Sequence, residues 1–335
     1  MVEYKNLMEV IIGNITDDDE TISFKTYKNY LISLSRLIKK EFGEEDYLKN
    51  IFIEINKNLK IDRKNNPNIE KIKGLLFNCW HTELNFLLPT TIGPSFMKYS
   101  VHWSPIQVYY SIYLSIRSLF ESSNSGINSN HAQTLRTISD WIVKRNLFPY
   151  PWNCYCGGLE ELKNLKFHGF REKVSEVSML AYPSDETIES CFAKFLKTTR
   201  ERQFKLKREG TEDIITKKGE RKKSWTSEDK KLVEKRISYT TIFDCIYRLR
   251  IKSNYENVDA YILSNMSDED SIEFYESLKI ILESTLLVLE SFILKHFGKK
   301  EIGSVIEEFA TKINSSELRK KGIFIRKKFL ISNFN

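Results

Sequence analysis

Residues that break helices are scarce in this sequence, and this scarcity constrains the fold more than any other feature. The chain of 335 residues contains 13 glycines and 7 prolines. All-β folds place many such residues at their turns, whereas long helices need few. Between the breaks, apolar residues recur at spacings of three and four, which is typical of amphipathic helices. The sequence therefore predicts an all-α protein.

Several helix boundaries can be read directly. Ser104 and Pro105 are suited to the N-cap and the first position of a helix. A second helix begins at a capping box from Ser267 to Asp270 and ends at Gly298. We divide the chain into an N-terminal helical unit, residues 1–100, and a second part, residues 101–335. The predicted helical stretches are 24–42, 47–59, 69–88, 106–123, 131–145, 188–196, 239–255, 271–298 and 302–313.

Lysine and arginine are concentrated in one segment. The chain carries a net charge of +7, but sixteen basic and eight acidic residues between Lys194 and Arg236 give that segment +8, and the remaining 292 residues sum to −1. Such a density of basic side chains can neutralise phosphates, although a solvated helix face looks the same. Phe204 and Trp225 interleave the charges, as base-stacking residues do. A second basic cluster comprises Arg319, Lys320, Lys321, Arg326, Lys327 and Lys328. The predicted nucleic-acid-binding residues are Arg200, Arg202, Lys205, Lys207, Arg208, Lys217, Lys218, Arg221, Lys222 and Lys223.

Motifs of several common enzyme classes are missing. The sequence has no GxxxxGK[ST], GxGxxG, HExxH or GxSxG, so P-loop hydrolysis and dinucleotide chemistry lose their usual support. Cys154, Cys156 and His168 suggest a zinc site, but a cysteine-rich turn packed under aromatic rings explains them better. We predict no metal and no cofactor. The five scattered cysteines and the lack of an apolar leader or membrane span indicate a reduced, cytoplasmic chain.

Two polar positions on apolar helices are candidates for function. His131 lies where a polar loop meets a helix, so it either caps that helix or provides a functional imidazole. Arg248 and Arg250 lie two residues apart on an apolar helix and point about 200° apart, so at most one lies on the buried stripe. An arginine turned toward a core needs an anionic partner or a ligand phosphate.

Two segments together resemble HEPN-superfamily domains. SPIQVYYSIYLSIRSLFESSNSGINSNHAQTLRTISDWIV is similar to the tyrosine-rich central helix, loop and helix-initiating histidine of that family. YRLRIKSNYENVDAYI is similar to the Arg-x-x-Ala/Ser-Asp/Asn-Tyr signature of its small prokaryotic members. The resemblance covers residues 103–147 and 238–297, and it makes residues 148–237 an irregular basic insertion. The matching positions are Tyr109, Tyr110, His131, Arg250, Asn254 and Tyr255.

The resemblance implies a four-to-five-helix bundle that commonly dimerises and is often encoded beside a protein partner. Family members often act as metal-independent endoribonucleases in toxin–antitoxin or antiviral systems, through an arginine followed after four to six residues by a histidine. None of the five histidines here follows an arginine at that spacing, and Asn254 and Tyr255 stand where Arg250 would require one.

Three functions remain open at this point. The first is nucleic-acid binding, with RNA as the expected ligand, in a prokaryotic defence or toxin–antitoxin system without membrane contact. The second is RNA cleavage, with His131 as acid/base, Arg250 as phosphate clamp, and Asn254 and Tyr255 orienting the substrate. The third is a non-catalytic interaction subunit. In a purely structural interpretation, these polar residues tie helices together and Arg250 pairs with Asp244 or Asp259.

Overall fold

The computed structural model describes residues 19–58, 67–123, 130–158, 165–209, 218–220, 222, 224–256, 261 and 266–331. Helices dominate these residues, which confirms the predicted all-α class at that level. A π-helical turn, Lys252–Glu256, follows α10, and a 3₁₀ turn, Leu318–Lys320, precedes α13. The elements are α1 (Asp19–Phe42), α2 (Tyr47–Asn58), α3 (Ile69–Leu87), α4 (Pro89–Ile92), α5 (Pro94–Ser100), α6 (Ser104–Ser122), α7 (His131–Arg145), β1 (Tyr155–Gly157), β2 (Lys166–His168), α8 (Ile188–Glu209), α9 (Ser227–Glu234), β3 (Thr240–Thr241), α10 (Ile242–Ile251), α11 (Asp268–Phe297), α12 (Lys299–Thr311) and α13 (Ile323–Ile331).

Helix α11 is the centre of the molecule. It spans 30 residues, and every residue from Ile281 to Ile293 is buried. Helices α1, α2, α5 and α6 pack around it. The predicted capping box of Ser267 and Asp270 begins the helix, and Gly298 ends it with a φ of 112°. Although α11 is long and apolar, neither it nor another helix in the described part of the chain meets the length and hydropathy needed to cross a membrane.

The two predicted parts of the chain share one core. Buried apolar side chains from Phe24 in α1 to Leu330 in α13 form a single hydrophobic cluster. Helix α1 packs against α11 and α8, so residues before 100 are buried by residues after it. Helical stretches were predictable here because each has one apolar face that this cluster covers.

The predicted start of α6 is wrong in one detail. Ser104 is not its N-cap, since Trp103 holds that position with helical dihedrals. The chain already turns through α5, and the Ser104 hydroxyl donates back to the Ser100 carbonyl at 2.8 Å. Helical structure thus continues almost unbroken into α6, and a side-chain cap is not needed.

The described part of the segment 148–237 contains more regular secondary structure than the predicted irregular insertion. It contains β1, β2 and α9, and β1 pairs antiparallel with both β2 and β3 in a three-stranded sheet. It also contains α8, whose 22 residues extend well past the predicted end at 196. The apolar side of α8 packs against α1 and α10, so the basic sequence at its end continues a buried helix.

A buried ion triad joins α3, α11 and α13. The guanidinium of Arg326 donates from Nε to Glu290 Oε2 at 2.7 Å and from Nη2 to Glu83 Oε2 at 2.9 Å. All three side chains have no exposed surface. Trp80 Nε1 donates to Glu290 Oε1 at 2.9 Å, which satisfies a further acceptor. Gly322 permits the approach of the chain, because a Cβ there would lie 2.8 Å from the Glu83 carboxyl carbon.

This triad removes Arg326 from the predicted C-terminal basic cluster, and other members of that cluster have partners within the protein. Arg326 is inaccessible. The Arg319 guanidinium donates to the carbonyls of Ile313 and Ala310, and Lys327 pairs with Glu307. The sequence shows these basic residues but not their partners, which lie in other parts of the chain.

We predict that Arg326→Met destabilises the fold by about 3–5 kcal/mol, because two buried carboxylates lose their cation. Denaturant unfolding followed by circular dichroism measures this change. The control is Lys320→Met, which breaks an exposed ion pair with Glu317 three residues away and should leave the midpoint nearly unchanged. Equal unfolding midpoints for the two variants would contradict the prediction.

Candidate functional site

Three elements bring the predicted site residues together. Helix α6 presents Tyr109, Tyr110 and Tyr113, while α7 begins at His131 and α10 carries Arg250 in its last turn. Helix α6 packs against α7, α10 and the π-helical turn. Residues 119 positions apart in the sequence, His131 and Arg250, therefore lie around the same pair of tyrosines. We call this group the tyrosine–histidine cluster.

His131 is not the cap of its helix, which corrects one of the two predicted roles. Asn130 is the N-cap, and its side chain accepts from the Gln133 amide at 2.9 Å. The imidazole of His131 instead turns toward α6, where Nδ1 and the Tyr109 hydroxyl form a hydrogen bond of 2.7 Å. Since Nδ1 is engaged, Nε2 is the nitrogen that can exchange a proton with a ligand.

Aromatic rings surround the imidazole. Its centroid lies 4.4 Å from Tyr113, 5.6 Å from Tyr109 and 5.9 Å from Tyr110. Tyr247, from α10, lies nearly parallel to the imidazole at 6.2 Å. These rings fix the orientation of His131 by packing, as a reacting or binding group requires.

Arg250 is buried but has no carboxylate partner among the described residues. Its side chain donates from Nη2 to the Tyr110 hydroxyl at 3.1 Å, and its buried Nε has no hydrogen-bond acceptor. The guanidinium lies 5.4–5.9 Å from the centres of four tyrosine rings, and the attraction of a cation to ring faces offsets part of its desolvation. The four rings belong to Tyr109, Tyr110, Tyr247 and Tyr255. A site of this kind favours an anion.

In the purely structural interpretation, Arg250 pairs with Asp244 or Asp259, but the structure shows Asp244 with other partners. That carboxylate accepts from the Thr241 amide at 2.8 Å and from Gln203 Nε2 at 2.8 Å, so it caps α10 instead. Burial raises the pKa of Asp244 to about 6 despite these donors, which lower it. Asp259 lies outside the described residues.

The cluster changes the protonation of its own members. Partial burial, and then the charges of Arg250 and Arg117, lower the pKa of His131. Burial raises the pKa of Tyr109, which stays protonated. As the pH falls through the usual imidazole range, the unfolded chain takes up a proton that folded His131 resists, so this residue costs stability at acidic pH. At neutral pH the imidazole is uncharged and can accept a proton.

The other two predicted catalytic residues lie in the π-helical turn. Tyr255 is 65% exposed, and its ring lies 5.4 Å from the Arg250 guanidinium. Asn254 is half-buried in the same turn, and within the described chain its side chain has no hydrogen bond to His131 or Arg250. The structure thus brings Tyr255 to the cluster, whereas in the described chain Asn254 is not hydrogen-bonded to His131 or Arg250.

Sequence reasoning missed three members of the cluster. Tyr113 and Tyr247 flank the imidazole, and Arg117 lies 5.9 Å from the Tyr113 ring. A helical spacing signal was available, since Tyr113 follows Tyr109 by four positions and Tyr247 precedes Arg250 by three. An aromatic stripe at that spacing more often belongs to a hydrophobic core, so only the structure identifies Tyr113 and Tyr247 as members of the cluster.

The predicted nucleic-acid-binding residues in the described chain fall into three groups. Arg200 is buried, and its guanidinium donates to the carbonyls of Gly158 and Ser238 at 2.8 Å each, so it cannot present its charge to a ligand. Arg202 pairs with Glu256, and Lys222 with Asp229. The exposed members are Lys205, Lys207, Arg208 and Lys218. Lys217, Arg221 and Lys223 lie outside the described residues.

The two interleaved aromatic residues have structural roles. Phe204 is buried against Val233, with Trp225 packed beside them. Arg208 lies 4.9 Å from the centre of the Trp225 ring. Phe204 is therefore unavailable for base stacking, and this part of the prediction is wrong.

The cysteine-rich turn provides no metal site in the described chain. Cys154 and Cys156 are buried thiols, whereas the His168 ring stacks on Tyr155 at 4.6 Å. Within the described residues, no three His, Cys, Asp or Glu side chains are grouped so that they could hold a metal ion.

Comparisons of the chain with protein-family models, with curated proteins and with solved structures each found no match. The HEPN resemblance therefore rests on the two sequence segments, and the function it implies is a proposal.

We predict that His131 titrates below the usual imidazole pKa and that Arg250→Gln raises its pKa without restoring the usual value, since burial remains. The His131 Hε1 chemical shift in an NMR pH titration reports this directly. Arg145→Gln, at the other end of α7, should leave the titration unchanged. A His131 pKa at or above the ordinary value in the wild-type protein would contradict the assignment of a desolvated imidazole.

Proposed function

We propose that this chain is a HEPN-like protein that binds RNA, with a backbone phosphate at the tyrosine–histidine cluster, in a prokaryotic defence or toxin–antitoxin system. One observation carries the proposal: Arg250 is buried beside His131 with no carboxylate partner in the described chain. The family resemblance supports RNA as the ligand, and it also supports a homodimer and a protein partner encoded nearby.

The chemistry of the cluster suits a phosphate oxygen. A guanidinium can donate charge-assisted hydrogen bonds to such an oxygen, and in the described chain that of Arg250 is hydrogen-bonded to the Tyr110 hydroxyl and to no carboxylate. Tyr110 contacts the guanidinium through its hydroxyl, and Tyr255 presents an exposed ring on which a base can stack. A neutral His131 adds no second positive charge beside Arg250 and can accept a proton from a ligand.

We predict that Arg250→Gln weakens binding of single-stranded RNA by about tenfold or more, because a charge-assisted hydrogen bond to phosphate is lost. Arg250→Lys keeps the charge but not the planar fork, and should bind with intermediate affinity. Fluorescence anisotropy with a labelled oligonucleotide, repeated over a salt series, measures both effects. The slope of log affinity against log salt should become shallower for Arg250→Gln.

Arg145→Gln is the matched control, since it removes one exposed arginine whose guanidinium stacks on Trp141. It should bind RNA as the wild type does. Affinity that does not change with salt, or equal affinities for Arg250→Gln and the control, would contradict phosphate binding at Arg250.

A second candidate function is metal-independent RNA cleavage, and the hydrogen bond between Tyr109 and His131 favours it. That bond holds the imidazole with Nε2 directed away from Tyr109. In transesterification the ribose 2′-hydroxyl attacks the adjacent phosphorus, the 5′-oxygen leaves, and a proton passes from the first oxygen toward the second. His131 Nε2 would exchange the proton, while Arg250 would stabilise the negative charge that develops on phosphorus oxygens.

For cleavage we expect His131→Ala and Arg250→Ala each to lower the rate by about a hundredfold or more. A mixed RNA pool incubated with each purified variant in the presence of a chelator, and analysed for 2′,3′-cyclic phosphate ends, measures the rate. Tyr109→Phe keeps the ring but loses the hydroxyl, so it should shift the pH profile.

The outcomes of this assay separate the two functions. Intact RNA with the wild type, together with salt-dependent binding, would reject cleavage and retain binding. Equal cleavage by wild type and both alanine variants would also reject the site, because the activity would then arise elsewhere.

A further inference from the structure

A charged cleft adjoins the tyrosine–histidine cluster. It consists of two cavities of about 750 Å³ and 480 Å³ that share the residues Arg136, Asp140, Ile237 and Ser238. Helix α7 forms one wall and α8 the other, while the segment before β3 and the start of α10 close its floor. Because the cavities share these residues, they lie side by side, and together we call them the groove.

Basic side chains outnumber acidic ones in this cleft. The acidic side chains are engaged: Asp140 accepts from Lys144 at 3.1 Å, Asp244 caps α10, and Glu234 lies 3.9 Å from Arg200. Arg136 is exposed on α7. The basic side chains of the lining include Arg136, Lys207, Arg236 and Arg248, together with Lys144 and Arg202, which pair with Asp140 and Glu256. The groove therefore favours a polyanion.

Arg248 gives the groove a half-buried guanidinium that pairs with no carboxylate in the described part of the chain. Its Nη1 donates to the hydroxyls of Thr198 and Thr199 at 2.6 and 3.2 Å. Its buried Nε has no acceptor. The guanidinium also lies 5.4 Å from the centre of the Tyr27 ring. Hydroxyl and ring partners offset the positive charge less than a paired carboxylate does, so an anionic ligand in the groove would be attracted to it.

Aromatic rings mark the two ends of the groove. Tyr247 lines the larger cavity and also packs on His131, so this end lies next to the tyrosine–histidine cluster. At the other end Tyr239 is 40% exposed and packs edge-on against Tyr155 at 5.2 Å. Gly157 makes room for that ring, because a Cβ there would lie 3.0 Å from Tyr239 Cδ1. Charge between two aromatic ends is typical of single-strand binding sites.

We propose that this groove holds a single-stranded stretch of the same RNA, with phosphates along Arg136 and Arg248 and a base stacked on Tyr239. The inference rests on the proposed function and names its substrate class: an unpaired strand that extends from the cluster. A duplex buries its bases in its own stack, so it cannot use Tyr239 in this way. Selection for single strands is therefore a property of the groove.

The test compares affinities for a labelled oligouridine and for a short RNA duplex. Tyr239→Ala should weaken oligouridine binding about tenfold, as expected for the loss of one base-stacking ring. Tyr239→Phe should restore it, since the ring is kept. Arg136→Gln should reduce the salt slope by about one. Duplex binding should be weaker in the wild type and unaffected by Tyr239→Ala.

Matched controls lie outside the groove. Tyr99→Ala removes a tyrosine that is 78% exposed, and Lys57→Gln removes an exposed charge from α2. Thermal unfolding of each variant verifies that the fold is intact. Groove variants that bind oligouridine as these controls do, while Arg250→Gln still weakens binding, would overturn this inference and leave the proposed function standing. A wild type that binds no RNA would overturn both.

Discussion

The ion triad of Arg326, Glu83 and Glu290 is the constraint on which the rest of the structure depends. Three charges without exposed surface are tolerated only if their geometry is held, and here it joins three helices. Glu290 lies in the central helix α11, while Glu83 lies in α3, which packs along α6. Because α6 carries Tyr109 and its neighbours, the triad holds the framework on which the tyrosine–histidine cluster is built.

The charges of two buried arginines, Arg326 and Arg250, have opposite kinds of surroundings. Arg326 meets two carboxylates and is fully compensated within the protein. Arg250 meets phenol rings and one hydroxyl, so in the described chain its charge has no internal counterion. A structural cation is expected to resemble the first, since an uncompensated buried charge lowers stability. The arrangement around Arg250 leaves its guanidinium able to bind an external anion.

Sequence reasoning reached the helices and part of the site for different reasons. Helix α11 was predictable because its capping box and glycine are local signals. The meeting of His131 and Arg250 followed from a family resemblance, since residues so far apart in sequence carry no local sign of contact. The sequence could not show which basic residues are buried and which are exposed. Arg200 and Arg326 look identical to solvated charges in sequence, and their partners become visible only when distant elements pack together.

Part of the excess charge between Lys194 and Arg236 lies on helix α8, which holds those side chains in a fixed orientation. Helix α8 is fixed on one side by its contacts with α1 and α10, so its remaining side forms a wall of the groove. Arg202 and Lys207 lie on that wall, opposite Arg136 of α7. A flexible basic tail would attract any polyanion equally. Charges on two rigid helices instead define a width and an orientation, and because Tyr247 joins this groove to His131, a bound strand would be led to Arg250.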